Sequence, residues 1–207
     1  MKKALILVGV LALALGISYL VLHKNDAENN KGDERDPALQ VGSKTSAFNR
    51  SFELMLNDYF YLLDAFVAND SSQITQTASQ LARSVDSIRF DQLKADSSLL
   101  LTAISVAQSI PPEIQGLKGE KTMEQKKRAF NMITQDLYSL ILTIKYDGSI
   151  IYHMSCPTAF SDSTAGDWLS RSNNIVNPYQ SKDDHTGKAG KPDCGEIKDS
   201  LHFRTGE

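Results

Sequence analysis

Basic residues form no block in this chain, and its net charge is −3. That excludes the electrostatic footprint a nucleic-acid partner requires. Cysteine is nearly absent: there are two in 207 residues, Cys156 and Cys194. Cys156 is followed by Pro157-Thr158-Ala159, so the second thiol of a Cys-x-x-Cys redox motif is missing, as is any Cys-x-x-Cys-His haem attachment. Four histidines and scattered serines fall into no triad order. Asp162, Asp167, Asp183 and Asp184 could supply calcium oxygens but lack EF-hand spacing, and a solvated loop describes them better. No catalytic residue is named, and the chain is read as a non-enzyme.

One long apolar run is present. Ala4 to Leu22 is free of charge and follows Met1-Lys2-Lys3. As a helix it would span about 28 Å, close to the ~30 Å hydrocarbon core of a bilayer. Lys2 and Lys3 place the N-terminus in the cytoplasm and the remainder outside. Residues 1–24 are therefore expected to be a transmembrane anchor, with a cleaved signal as the alternative. The expected location is the periplasm, tethered to the inner membrane, or soluble there if the segment is cleaved. Residues 25–46 lack aromatics and nearly all branched apolar residues, so they read as a flexible linker.

Helical periodicity starts next. Phe48, Phe52, Met55, Tyr59, Leu62 and Phe66 recur at spacings of four and three. Such an aromatic stripe could line a ligand pocket, but core packing is its commoner use. Ile74, Ala78, Leu81, Val85 and Ile88 make a second stripe, after Asn69-Asp70-Ser71-Ser72 supplies cap residues. Leu100, Ala103, Ala107 and Ile110 make a third, which Pro111-Pro112 should end. Met123, Phe130, Ile133, Leu137, Leu140 and Ile144 make the fourth. The spacing predicts helices near 46–68, 72–89, 92–110 and 121–146. The expected class is all-α: an antiparallel four-helix bundle over 47–146, with an irregular C-terminal segment over 147–207.

Beyond Gly148 apolar residues become scarce. Trp168, Phe160, Tyr179 and Tyr152 are the candidate anchors for this segment, and Cys156 with Cys194 is its candidate cross-link. In an exported domain two cysteines read first as a structural disulfide. The soft and borderline donors gathered here, Cys156, Cys194, His153, Met154 and His185, are also a candidate metal set. Two thiolates with a thioether or imidazole suit Cu(I), while Cys156, Cys194, His153 and His185 could supply a tetrahedral zinc site.

Read as a string, Cys156-Pro157-Thr158-Ala159-Phe160, Trp168-Leu169-Ser170, Asn177-Pro178-Tyr179 and Cys194-Gly195-Glu196 resembles the bacterial envelope family labelled domain of unknown function 3347. The resemblance spans roughly Phe48 to Leu201, carried by motifs in the last fifty or so residues and by helical pattern before them. Some members of that family are fused to, or resemble parts of, periplasmic adaptor subunits of heavy-metal efflux pumps. It thus implies a copper-type metal role in efflux or homeostasis, with pump or envelope proteins as partners; zinc is the alternative that the donor set alone allows. Thr158 replaces a family Met, and Gln180-Ser181-Lys182 replaces a Phe-Gly with a following Met, so two family thioethers are missing. The alternative is a non-catalytic envelope interaction module in which Cys156–Cys194 is a staple.

Overall fold

A computed structural model describes residues 44–180 and 194–203. The predicted anchor and nearly all of the linker lie outside the described residues. No helix among the described residues is long and apolar enough to cross a membrane.

Four helices follow one another as the stripes indicate: α1 (Ser46–Ala68), α2 (Ser71–Asp86), α3 (Ser97–Gly119) and α4 (Met123–Ile144). Each begins at a residue whose side-chain oxygen accepts from a first-turn amide: Thr45, Asp70, Asp96 and Thr122. Thr122 and Gln125 complete a capping box. Left-handed residues, Asn69 (φ 56°) and Lys145 (φ 47°), close α1 and α4. In the turn after α4 it is Lys145 that adopts the positive φ, and Gly148 is needed because the Tyr146 ring occupies the space of a Cβ. The α1 stripe is core, not pocket: Phe48, Phe52, Met55, Tyr59, Leu62 and Phe66 are all fully buried. Rings of α1 and α4 meet across that core, with Tyr59 stacked on Phe130 (5.6 Å) and Phe66 tilted on it (4.5 Å).

Two expectations are corrected. Pro111-Pro112 does not end α3, which runs through both prolines to Gly119. Interior proline costs a helix about 3 kcal/mol or more, but the stripe continues beyond it through Ile114 and Leu117, both fully buried. Burying such side chains returns about 1.5–3 kcal/mol each. The class is also not all-α. The segment expected to be irregular forms a small antiparallel sheet of β1 (Ile151–Cys156), β2 (Gly166–Ser170) and β3 (Glu196–Leu201), ordered β2-β1-β3. β3 is exposed at every residue but Leu201, so it shows no alternation of apolar and polar residues to read.

Candidate functional site

The C-terminal segment is held by contacts that the helices supply. The outer edge of β2 would leave backbone groups unpaired, and side chains from α1 and α4 seal it. The Asp167 amide donates to Asn131 Oδ1 (2.7 Å), and the Leu169 amide donates to the Tyr59 hydroxyl (3.0 Å). Tyr59 shares a second hydrogen bond with Thr134 (2.8 Å), in full burial, and that burial raises its pKa. The Tyr179 hydroxyl donates to the Asp167 carbonyl. Its ring lies near Trp168 (6.1 Å), Phe130 (6.2 Å) and Phe160 (5.3 Å). Burial likewise drives the Tyr179 pKa well up. The expected anchors therefore do anchor: Trp168, Phe160 and Tyr179 are buried and Tyr152 is half-buried.

Lys127 is the unexpected member. Its ammonium group, on a residue only 6% exposed, donates to the carbonyls of Tyr179 (3.1 Å) and Gln180 (2.8 Å). Burial pushes its pKa down to about 8. Asn177 then ties the two ends of the segment together. Its Nδ2 donates to the Cys194 carbonyl (2.8 Å), and its Oδ1 accepts from the Tyr179 amide (2.8 Å).

Cys156 and Cys194 are joined as a disulfide with Cα atoms 5.2 Å apart, closing a separation of 38 residues. Gly195 follows because a Cβ there would run into Ile175 and approach Trp168 to 3.1 Å.

The four candidate ligands among the described residues, Cys156, Cys194, His153 and Met154, do not form one centre. The two sulfurs are bonded to each other, so neither is the thiolate that ligates a metal. Met154 is fully buried in the core. His153, its neighbour on the strand, projects to the opposite face, where it lies against the Tyr138 ring (4.3 Å) and faces Asp167 (Nε2 to Oδ2, 3.7 Å). That imidazole is the first cause of the lowered Asp167 pKa. His185 lies outside the described residues. Among the described residues, no group of three or more His, Cys, Asp or Glu could hold a metal ion.

Sequence reasoning missed Lys127, Thr134 and Asn131, and named Asn177 only within its motif, without a role. A signal existed for two of them. Met123, Lys127, Phe130, Thr134 and Leu137 are spaced four, three, four, three. A lysine and a threonine thus stand in the buried register of α4, where polar side chains are retained only with partners.

Four helices carrying a small, disulfide-closed antiparallel sheet define the class of protein. Residues 55–147 match the family described as Protein of unknown function (DUF3347), so the resemblance holds over this stretch. The match runs from within α1 to just past α4, and the strands and both cysteines lie beyond it. No curated protein and no solved structure matches the chain.

Proposed function

We infer that this chain is an exported, membrane-tethered and non-catalytic interaction module. Its helices serve as a frame, and its disulfide-closed C-terminal segment contacts another envelope protein. The observation that carries the reading is the Cys156–Cys194 bond. Disulfides persist in oxidising compartments, and here one consumes the chain's only two thiols. The export half also rests on the Ala4–Leu22 run behind Lys2 and Lys3.

The contact half rests on what surrounds the bond. Ile175, Val176 and Ile197 stand about half exposed, while Trp168, Tyr179 and Asn177 are engaged in packing and hydrogen bonds. A partner with an apolar face fits such a surface. The soft-metal reading, with copper or zinc on Cys156, Cys194, His153, Met154 and His185 and a heavy-metal efflux pump as partner, applies only to the reduced chain.

Site-specific photo-crosslinking in the intact envelope tests the proposal. A crosslinker at Val176 should give a discrete protein adduct that disappears in Cys156→Ser/Cys194→Ser. A crosslinker at exposed Gln115 of α3 should give none. The absence of a discrete adduct at Val176, or equal labelling from both positions, would overturn it.

A further inference from the structure

The two edges of the small sheet differ. Side chains from α1 and α4 seal the outer edge of β2, but among the described residues no strand lies beyond β3. Every β3 residue except Leu201 is exposed. An open edge is a template for another strand, and lysine or a bulge commonly guards it. Here the guard is partial. Lys198 has its charge matched by Glu196 at 2.8 Å, and the bulge falls between Ile197 and Asp199.

The order of charges along β3 selects what can cover it. Glu196 and Lys198 flank Ile197, whose side chain is 44% exposed. A second copy related by a two-fold axis at Ile197 would lie antiparallel, with Ile197 opposite itself. Glu196 of each copy then stands opposite Lys198 of the other, and opposite charges directly across a ladder stabilise it. Other positions of the axis are disfavoured. At Glu196, Lys198 or Asp199 it sets a charge directly against its own copy, and like charges so placed destabilise the pair.

We propose that β3 pairs with β3 of a second copy of this chain, joining two three-stranded sheets across a two-fold axis at Ile197. Glu196 and Lys198 of the two copies form four charges of alternating sign. Ile197 meets its own copy, and each half of the interface is the same surface. The bulge in β3 keeps the shared ladder short and the pairing reversible. Ile175 and Val176 take no part in this ladder, so the inference does not rest on contact with another envelope protein.

Charge exchange tests the pairing on the purified full chain in detergent, by energy transfer between copies labelled with donor or acceptor at the C-terminus. The wild type should show transfer that saturates with concentration. Glu196→Lys alone and Lys198→Glu alone each set like charges across the axis, and each should weaken self-association about tenfold. A mixture of donor-labelled Glu196→Lys with acceptor-labelled Lys198→Glu restores both opposite-charge pairs and should regain the wild-type strength. So should the double exchange Glu196→Lys/Lys198→Glu with itself. Both side chains are exposed, so the melting temperature of each variant should stay close to that of the wild type. No saturable transfer in the wild type would overturn the proposal. Transfer unchanged in both single variants would also do so, because it would place the association elsewhere. A mixture no stronger than the single variants alone would do the same.

Discussion

Lys127→Met probes the contact that joins frame to sheet. The wild-type ammonium is buried against two carbonyls, and its pKa falls from 10.5 to about 8 because burial disfavours the charged form. The linkage has a definite sign. Below pH 8 the amine is protonated both folded and unfolded, so stability does not depend on pH through this group. Between pH 8 and 10.5 the unfolded chain holds the proton more tightly than the folded one, and stability must rise with pH. From pH 7 to pH 9.5 the gain is about 2 kcal/mol, approaching roughly 3 kcal/mol above pH 10.5. The raised tyrosine pKa values act at higher pH and with the opposite sign, so pH 9.5 is the useful upper limit. Urea unfolding at pH 7, 8, 9 and 9.5 should show this rise in the wild type and not in the methionine variant. At pH 7 the variant loses two hydrogen bonds and is relieved of a desolvated charge, so its net change should stay within about 2 kcal/mol. A wild-type stability that is flat or falling over this range, or a slope shared by the variant, would refute the buried-lysine account.

Three further outcomes are expected, two from the packing and one from the N-terminal apolar run. Phe130→Ala removes the ring against which Tyr59, Phe66 and Tyr179 lie, and should cost about 3–5 kcal/mol by denaturant titration. Cys156→Ser/Cys194→Ser opens a loop closed across 38 residues. It should cost about 4 kcal/mol on the loop-entropy account, while far-ultraviolet dichroism retains the helical signal, because the helix stripes are buried independently of the bond. A reporter active only in the cytoplasm, fused after Ser46, should stay silent if Ala4–Leu22 is an anchor or signal, and a strong signal would remove the export argument.

The helices were legible because each writes its buried face in the chain at spacings of three and four, and each opens on a side-chain cap. α3 was legible only to Ile110. Proline chemistry predicts a stop there, and the decision to continue lies in Ile114 and Leu117 finding a core, which is a tertiary fact. The sheet was illegible for a related reason. β2 has five residues, and β3 is exposed almost throughout. β3 pairs with a strand lying 40 or so residues away in sequence, and the outer edge of β2 depends on side chains from α1 and α4. Within the segment, the pairing of Cys156 with Cys194 and the anchoring by Trp168 and Tyr179 could be anticipated from a scarcity of apolar residues that demands a clamp. The role of Lys127 was written in the α4 register but masked by its charge. A lysine at a core position reads as an exception until its two carbonyl acceptors are seen. His153 and Met154 looked like joint ligands as neighbours in sequence, but strand geometry sends neighbours to opposite faces.

Cys156 and Cys194 form a staple, and the redox and metal state of the full chain purified without reductant tests this without intermediaries. Thiol titration under denaturing conditions should find no free thiol, and mass spectrometry of a non-reduced digest should find the two cysteine peptides linked. Elemental analysis of the same sample should show neither copper nor zinc at stoichiometric level. Two free thiols with one equivalent of copper or zinc, lost in Cys156→Ser, would contradict the staple and establish the metal reading in its place.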